Sequence, residues 1–471
     1  MDFKNVMERC KKEGAVVIGL GKSNLPLIRY LAGHGIAVEA RDRKTAEEIS
    51  QVASELTELG ATLILGESYL ANIPPRVIFR SPGIRPDAGG IPAAVADGGY
   101  LTSEMELFFA GTRAHRFGVT GSDGKTTTTT ILHLLLEAVT RRLGGRAYVG
   151  GNIGEPLVDR TDEMTDDDCA AIELYSFQLM TMTDAPEVAV VTNVTPNHLN
   201  WHTDYEEYVN AKARVLGVGC RRAVLNYDNE ITRGLAARTE AEVIFFSSTA
   251  TAVPEDVQGG FLYIKEGIVT YAEGGNERCL LPASAILLPG RHNLENYMAA
   301  IGATLGLATL EEITAVATTF TGVAHRIEPV GERNGVRFYN SSIDSTPTRT
   351  AAALHAMEKE ERLTVICGGY DKNIPFLPLG EALLRHENVK TVVLTGATAK
   401  KIAEAIREAA QESPRALTVL MEPDFDAAVR LAARRTEPGG VVLLSPACAS
   451  FDAFVNFEAR GNRFRTLVSQ L

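Results

Sequence analysis

The feature that most constrains the fold is a glycine-rich segment, Gly118–Thr128, with the sequence GVTGSDGKTTT. It overlaps the end of an apolar run and precedes a stretch, Thr128–Ala138, with the character of a helix. A strand, a glycine turn and a helix in this order bring backbone N–H groups and the positive end of a helix dipole against an anion. Lys125 would neutralise phosphates and Thr126 would ligate Mg²⁺. The segment predicts a phosphate-binding loop, although Val119 stands where the general pattern has its first glycine.

Apolar, strand-length runs alternate with helical stretches along the whole chain, which is typical of α/β layers. The length of 471 residues suggests about three domains. We predict boundaries near residues 112 and 321, which divide the chain into units of residues 1–112, 113–321 and 322–471. Residues 250–289 are rich in glycine and turns, so we expect antiparallel strands there.

The overall charge argues against several classes of partner. With 59 acidic against 47 basic residues the net charge is −12, which disfavours a nucleic-acid surface. No apolar run approaches the ~18 residues of a membrane helix, and the six cysteines form no C-x-x-C pair. We expect a cytoplasmic enzyme with reduced thiols and with neither a nucleic-acid nor a membrane partner.

Several polar groups follow predicted strands, and each is ambiguous alone. Glu173 suits metal coordination or is a surface carboxylate, whereas His198 lies in a polar loop where a metal or phosphate ligand is plausible. Asn293 and Asn296 share a helix face and could either read a purine edge or cap the helix. Lys212 has nothing in its spacing to separate it from a solvated lysine.

The N-terminal segment Gly19-Leu20-Gly21, followed by Asp42, is half of a dinucleotide-binding fingerprint. The third glycine is missing, so a tight strand–helix turn explains it equally well. Asp42 and Arg43 could hold a ribose or a uracil, or could be solvated.

Taken together, these segments resemble the Mur ligase family, specifically the member that adds D-glutamate. The matching pieces occur in family order and cover nearly the whole chain. They are RSPGI (80–84), TSEMELF (102–108), the glycine-rich loop, GGNIG (150–154), ELYSFQL (173–179), TNVTPNHL (192–199), the Lys212 helix, GRHNLEN (290–296), AHRIE (324–328), GGYDKN (368–373) and LSPACASFDAFVNFEARG (444–461).

The resemblance implies a reaction in which ATP, UDP-N-acetylmuramoyl-L-alanine and D-glutamate give a dipeptide product, ADP and phosphate. The substrate carboxylate would attack the γ-phosphorus to give an acyl phosphate, which the amine of D-glutamate then attacks. Phosphorylation supplies the leaving group that a carboxylate lacks, and Mg²⁺ and Lys125 offset the charge on the transferring phosphoryl group. The family also implies two Mg²⁺ ions and three α/β domains: a UDP-substrate-binding Rossmann-like N-terminal domain (1–112), a central P-loop ATP-binding domain (113–321) and a Rossmann-like C-terminal domain that binds the amino acid (322–471). We expect a monomer.

The resemblance assigns roles to individual residues. Lys125, Glu173, His198 and Lys212 would be catalytic, and Lys212 would be carbamylated. The nucleotide would bind Gly121, Ser122, Asp123, Gly124, Lys125, Thr126, Thr127, Asn293, Asn296 and Arg326. The metal ligands would be Thr126, Glu173, His198 and Lys212. The substrates would bind Ser23, Asp42, Arg43, Gly83, Asn152, Lys372, Ser450 and Phe457.

The chain departs from the family pattern at a few positions. Asn197 and Asn200 replace both acids of an Asp-His-x-Asp motif. Ser341 and Ile343 stand where the family has Asp and Lys, and Tyr175 replaces a serine. Asp344 lies three residues beyond the missing acid. These changes bear on ribose binding and rate more than on substrate identity.

Three alternatives remain open. A sister Mur ligase would add another amino acid, and the pocket around Lys372 and Ser450 would decide this. An oxidoreductase built on Gly19-x-Gly21 would leave the phosphate-binding loop unexplained. A catalytically silent paralogue would bind nucleotide as a regulatory module, and the changes at Asn197, Asn200 and Ser341 are its support.

Overall fold

The computed structural model describes residues 2–198, 201–288, 290–371 and 374–471. The chain divides into two compact units, Met1–Phe320 and Thr321–Leu471. Three β-sheets follow one another along the sequence, two in the first unit and one in the second. No helix among the described residues is both long and apolar enough to span a membrane. The α/β fold class is confirmed, whereas the edges predicted after residues 112 and 321 stay predictions.

The first sheet has five parallel strands in the order β3-β2-β1-β4-β5. The central strand β1 is buried along its whole length, as its uninterrupted apolar sequence predicts. The elements are α1 (Phe3–Glu13), β1 (Ala15–Ile18), α2 (Asn24–Gly33), β2 (Val38–Asp42), α3 (Ser50–Glu58), β3 (Thr62–Leu65), β4 (Val77–Arg80), α4 (Ile91–Ala96) and β5 (Tyr100–Thr102).

The second sheet has nine strands in the order β14-β13-β12-β11-β10-β9-β6-β8-β7. Its last three strands along the chain pair antiparallel, which confirms the prediction for residues 250–289. The elements are α5 (Glu104–Gly111), β6 (His115–Thr120), α6 (Lys125–Leu143), β7 (Ala147–Gly151), β8 (Cys169–Glu173), α7 (Ser176–Leu179), β9 (Val188–Val191), α8 (Tyr205–Ala213), β10 (Arg222–Asn226), α9 (Glu230–Gly234), β11 (Glu242–Phe246), β12 (Gly260–Lys265), β13 (Ile268–Glu273), β14 (Asn276–Pro282), α10 (Arg291–Thr304) and α11 (Leu310–Ala317).

Two hydrophobic cores cover the faces of this sheet. One includes apolar side chains of α6 and α10, and the other includes side chains of α5 and α8. Parallel strands buried on both faces end at a common edge, where ligands bind in such folds. The glycine-rich loop lies at this edge, between β6 and α6.

The sheet of the second unit has six strands in the order β15-β16-β20-β17-β18-β19, and only the β15–β16 pair is antiparallel. The sequence had predicted four of these strands; the hairpin at its edge was not predicted. The elements are β15 (Glu328–Arg333), β16 (Val336–Asn340), α12 (Pro347–Ala356), β17 (Leu363–Gly368), α13 (Leu377–Arg385), β18 (Val389–Thr395), α14 (Ala399–Glu412), β19 (Thr418–Met421), α15 (Phe425–Arg435), β20 (Val441–Leu444) and α16 (Phe457–Ser469).

Candidate active site

The glycine-rich loop needs glycine at two positions. Gly121 has a φ of +148°, and a Cβ there would lie 1.9 Å from Thr192 Oγ1. Gly124 has a φ of +79°, and a Cβ there would lie 2.5 Å from Asn296 Oδ1. The loop therefore curls tightly over the first turn of α6, where backbone N–H groups lack intrahelical acceptors. This is the geometry of an anion-binding site.

Neighbouring segments hold the loop in this shape. The backbone N–H of Ser122 donates to Asn193 O at 2.8 Å, and that of Asp123 donates to Asn193 Oδ1 at 2.9 Å. Ser122 Oγ donates to Thr195 O at 2.9 Å. The segment that follows β9 thus fixes the loop through both the backbone and the hydroxyl of Ser122.

Lys125 lies at the start of α6 and folds back over the loop. Its Nζ donates to Ser122 O at 2.9 Å and lies 5.0 Å from the centre of the Tyr175 ring. Thr126 is buried in the next position, and Thr127 is partly exposed. The α6 helix begins three residues earlier than predicted, because Gly124 at its N-cap adopts the left-handed conformation.

Lys212 projects from α8 to the same loop. The residue is only 2% exposed, and its Nζ donates to Gly121 O at 2.7 Å and to Thr120 Oγ1 at 3.3 Å. Burial, reinforced by the positive charge of Lys125, holds the pKa of Lys212 well below its ordinary value. Burial therefore favours the uncharged amine at this position, which spacing alone did not reveal.

Glu173 ends β8 and is fully buried. Its Oε1 accepts from Asn152 Nδ2 at 3.4 Å, while its Oε2 is buried with no hydrogen-bond partner. A buried carboxylate oxygen without a donor is costly unless a cation or a ligand completes it. Asn152 thus lies beside Glu173, at the end of the neighbouring strand β7.

His198 lies on the loop between β9 and α8 with a φ of +55°. Its ring packs 4.9 Å from that of Phe177 and 6.4 Å from that of Tyr208. Asn197, one of the departures from the family pattern, is exposed and accepts the backbone N–H of His198. Asn200 lies outside the described residues.

The predicted metal ligands fit a cation that a nucleotide also holds. Among the described residues there is no group of three or more His, Cys, Asp or Glu side chains that would form a metal cage. Mg²⁺ in proteins takes one or two carboxylates and completes its shell with phosphates and water. The orphaned oxygen of Glu173 meets that requirement. A carboxylate-like group on Lys212 would add a second anionic ligand.

A cavity of about 150 Å³ lies next to the glycine-rich loop. Asn296 lines it and is fixed there, because it accepts from Thr128 Oγ1 at 3.1 Å and donates to Asn293 Oδ1 at 3.1 Å. The cavity is lined by Asp123, Gly124, Thr192, Asn193, Phe246, His292, Glu295 and Asn296. Its position beside the loop suits the base of a bound nucleotide.

The turn that ends β1 is shaped by Asp42. The carboxylate accepts the backbone N–H of Leu20 at 2.7 Å and that of Lys44 at 2.9 Å. Ser23 precedes α2 without capping it, and Arg43 is exposed. Gly83 lies in the turn after β4, where its carbonyl accepts Trp201 Nε1 at 3.2 Å. The turns that carry Asp42 and Gly83 follow β2 and β4, which flank β1.

The second unit carries the residues predicted for glutamate. Ser450 is 2% exposed and lies on a loop that Arg460 fixes, since the guanidinium donates to Cys448 O and Ala449 O. Phe457 begins α16, and its ring packs 5.9 Å from that of His325, the neighbour of Arg326. Lys372 lies outside the described residues.

Of the two departures in this unit, Ser341 is buried and Ile343 is partly buried. Ser341 is fully buried and its Oγ accepts the backbone N–H of Ile327 at 3.2 Å. Ile343 donates its backbone N–H to His325 O. Asp344 accepts from Ser445 Oγ at 2.8 Å, and burial raises its pKa to about 6. The carboxylate of Asp344 is thus present in the segment beside Arg326, three residues later than the acid of the family pattern.

Several residues at the site were missed by reasoning from the sequence. Phe246 and Glu295 line the cavity, and Tyr208 packs under the Nζ of Lys212 at 4.8 Å. Phe246 is the last residue of β11, and a strand end at the ligand-binding edge was a usable signal. Tyr208 gave no signal, because an aromatic residue in a helix is ordinarily part of the core.

Comparisons with known proteins identify the family and the fold of the chain. Residues 119–304 match the Mur ligase middle domain, and residues 325–448 match the Mur ligase glutamate ligase domain. The chain is similar to solved structures of UDP-N-acetylmuramate-alanine ligase MurC from Thermotoga maritima (TM-score 0.53, 17% identity) and of a pseudomurein peptide ligase type C from Methanothermus fervidus (TM-score 0.51, 16% identity). Each comparison covers 97% of this chain and 99% of the other, and shows the fold. The class is therefore a Mur ligase with three α/β domains.

Curated relatives narrow the class. The UDP-N-acetylmuramoylalanine–D-glutamate ligase of Acetivibrio thermocellus is 42% identical over 100% of this chain and 98% of its own length. The enzyme of the same name from Clostridium kluyveri is 44% identical over 100% of this chain and 99% of its own. The chain belongs to the UDP-N-acetylmuramoylalanine–D-glutamate ligase family.

Proposed function

We propose that this protein joins D-glutamate to UDP-N-acetylmuramoyl-L-alanine, with conversion of ATP to ADP and phosphate, as a cytoplasmic monomer in peptidoglycan precursor synthesis. The observation that carries the proposal is the convergence of Lys125, Glu173 and Lys212 on one glycine-rich loop, in a chain of this family. The rival oxidoreductase leaves this convergence without a purpose.

The loop and Lys125 would bind and orient the phosphates of ATP. The backbone N–H groups of Gly121–Thr127 and the N-terminus of α6 present partial positive charge, to which Lys125 adds a full charge. The cavity lined by Asn296 would take the adenine, and Asn293 would hold the Asn296 amide in place. Arg326 would also contact the nucleotide, as the family resemblance implies.

The chemistry proceeds by two displacements. An oxygen of the L-alanyl carboxylate attacks the γ-phosphorus, the bond to ADP breaks, and an acyl phosphate forms. The amine of D-glutamate then attacks the acyl carbon, loses a proton, and expels phosphate. A loop that aligns the carboxylate with the γ-phosphorus supplies much of the acceleration by positioning.

The positive charge that bound Mg²⁺ supplies would lower the cost of bringing an anionic carboxylate to the phosphates of ATP. Thr126, Glu173 and His198 would hold the ions together with Lys212. The neutral amine of Lys212 can add to CO₂, forming an N–C bond and releasing a proton, so that a carbamate replaces a cation. Two divalent ions would repel an ammonium but attract a carbamate.

Each substrate would have its own set of binding residues. Ser23, Asp42, Arg43 and Gly83 would hold the uridine diphosphate, and Asn152 would hold the muramoyl end next to Glu173. Lys372, Ser450 and Phe457 would form the D-glutamate pocket, in which Lys372 would pair with a carboxylate.

Phosphate release from ATP tests the assignment. The wild-type protein is mixed with UDP-N-acetylmuramoyl-L-alanine and ATP, with D-glutamate or with one of a panel of other amino acids. We expect release only with D-glutamate, and loss of it in Lys125→Ala. Release with another amino acid alone would assign a sister activity. Absence of release with ATP still bound would favour the silent paralogue, and would attribute the silence to Asn197, Asn200 and Ser341.

A further inference from the structure

A chain of buried and partly buried polar contacts links the turn at Gly83 with the segment that follows Glu173. Four side chains form it: Arg85, Glu207, His202 and Ser176, here called the relay. Arg85 Nη1 and Nη2 donate to the two carboxylate oxygens of Glu207 at 3.0 and 3.2 Å. His202 Nδ1 lies 2.9 Å from Glu207 Oε1, and His202 Nε2 lies 2.8 Å from Ser176 Oγ.

The partners fix the protonation pattern along the relay. The Glu207 carboxylate is held ionised by Arg85, which lowers its pKa to about 2, so it can only accept. His202 Nδ1 must then carry the proton that it donates to Glu207. With Nδ1 as the donor, Nε2 is the acceptor of the neutral tautomer, and the Ser176 hydroxyl donates to it. Each polar atom of the imidazole is satisfied in a side chain that is 0% exposed.

The relay contacts the catalytic loop, which is the segment between β9 and α8 that carries His198. The backbone N–H groups of Trp201 and His202 both donate to the carbonyl of His198, at 3.0 and 3.1 Å, and stabilise its left-handed conformation. The imidazole of His202 stacks on Phe177, with ring centroids 5.7 Å apart and planes inclined by 21°. The edge of the His198 ring contacts the same phenyl ring.

The other end of the relay reaches the turn predicted to hold the diphosphate. Arg85 lies two residues after Gly83, donates to Trp201 O at 2.9 Å, and covers the indole ring at 5.2 Å. Trp201 returns a hydrogen bond from Nε1 to Gly83 O. Trp201 is the one tryptophan of the sequence, so its fluorescence reports on this junction alone.

We propose that His202 is a positioning residue of the ligase: through Ser176, Phe177 and His198 it fixes the catalytic loop, and through Glu207 and Arg85 it ties that loop to the Gly83 turn. The positioning role of the four relay side chains requires no contact between them and the substrate. The inference rests on the proposed function for its kinetic consequences, and on the hydrogen-bond geometry alone for its spectroscopic ones.

Steady-state kinetics separate positioning from general structural support. We expect His202→Ala and Ser176→Ala to lower kcat by roughly tenfold to 100-fold, because a misplaced site loses orientation, with KM for the UDP-linked substrate nearly unchanged. The double variant should be no slower than the slower single variant, since both remove one interaction. Thr140→Val, which deletes a buried hydroxyl bonded only within α6, is the matched control and should keep wild-type kcat.

Conservative replacements give a second readout. In His202→Gln the amide takes the place of Nε2 and can still bond Ser176, whereas the amide of His202→Asn takes the place of Nδ1 and can bond only Glu207. We expect Gln to restore more of kcat than Asn, even where the two variants have the same Tm. Equal losses that follow Tm, additive losses in the double variant, or a loss confined to KM would overturn the proposal.

Nitrogen NMR of protein labelled at histidine tests the relay without any turnover. We expect a neutral His202 with the proton on Nδ1, slow exchange of that proton, and faster exchange in Glu207→Gln. A proton on Nε2 in the wild-type protein would overturn the proposal even if ligation is observed. If the wild-type protein does not ligate, the proposed function fails, and the spectrum still decides the relay.

Discussion

Lys212 shows how burial changes the chemistry of a single side chain. A lysine that is 2% exposed, with its Nζ bonded to a carbonyl and a hydroxyl oxygen, has lost most of the hydration that favours the ammonium form. The pKa of Lys212 is therefore depressed, which favours the uncharged amine, the form that reacts with CO₂. Its neighbour Lys125 stays on the loop over the Tyr175 ring.

We predict that Lys212→Ala abolishes ligation, because an anionic ligand for the metal is removed. A short-chain carboxylate such as acetate or formate should restore part of the activity by occupying the space. Phosphate release with and without added carboxylate is the measurement, and Lys400→Ala, an exposed lysine on α14, serves as the control. Full activity of Lys212→Ala in the absence of carboxylate would contradict a carbamate.

Glu104 is a second buried ionisable residue, and its burial bears on how the stability of the protein depends on pH. It opens α5, is 4% exposed, and one of its carboxylate oxygens has no partner. Burial raises its pKa from 4.5 to about 8. The folded state therefore holds a proton that the unfolded state has already lost between these pH values, so the contribution of Glu104 to stability is present below pH 4.5 and is lost as pH rises towards 8.

We predict that Glu104→Gln flattens the decline in the free energy of unfolding between pH 5.5 and 7.5, by up to about 1.4 kcal/mol per pH unit. Chemical denaturation at several pH values gives the slope. Glu8→Gln, at an exposed position on α1, should leave the slope unchanged. An unaltered slope in Glu104→Gln would show that Glu104 is ionised in the folded protein.

At the scale of elements, α6 joins the phosphate-binding loop to the core. Its N-cap is Gly124 and its C-cap is Gly144, both with positive φ. The two positions differ in their surroundings, because a Cβ at Gly124 would meet Asn296 at 2.5 Å, whereas a Cβ at Gly144 would meet nothing within 4 Å. The two ends of α6 thus carry glycines that share a left-handed conformation and differ in their surroundings.

We predict that Gly124→Ala weakens ATP binding by at least about tenfold, because it displaces Asn296 and reshapes the loop. Gly144→Ala should cost about 1 kcal/mol of stability from backbone strain, with ATP affinity unchanged. Calorimetric titration with ATP and thermal denaturation of both variants are the measurements. Equal ATP affinity in the two variants would mean that the loop does not hold the phosphates.

The elements also show what the sequence was able to predict. The strand–glycine–helix order of the loop and the turn-rich region before α10 led to correct elements, because each is specified by local backbone preferences. The hairpin of β15 and β16 was missed, because residues 328–340 are mostly polar at the sheet edge and lack the continuous apolar run of the buried strands. The relay of His202 was also missed, since Ser176 and His202 are 26 residues apart and meet only in the fold.

At the scale of the whole molecule, the division of the chain into two compact units indicates which segments could fold independently. The second unit has its own sheet and two hydrophobic cores, on the two faces of that sheet. The first two sheets share a unit, and Arg80 at the end of β4 donates to Phe177 O at 2.8 Å. A division of the chain at residue 112 therefore breaks buried contacts that a division at residue 321 leaves intact.

We predict that a fragment of residues 322–471 folds cooperatively, whereas a fragment of residues 1–112 is markedly less stable because Arg80 loses its buried acceptors. Circular dichroism and thermal denaturation of each fragment compare them. Failure of the 322–471 fragment to fold, at any temperature where the full chain is folded, would contradict the prediction that these residues form a separate domain.

The proposed reaction activates a carboxylate as an acyl phosphate before the amine is joined to it. The most direct test uses UDP-N-acetylmuramoyl-L-alanine with ¹⁸O in its carboxylate, together with ATP and D-glutamate. Mass spectrometry of the phosphate should find one ¹⁸O for each dipeptide formed, because the bridging oxygen leaves with the phosphoryl group. Label in AMP, or phosphate free of ¹⁸O while dipeptide accumulates, would contradict it.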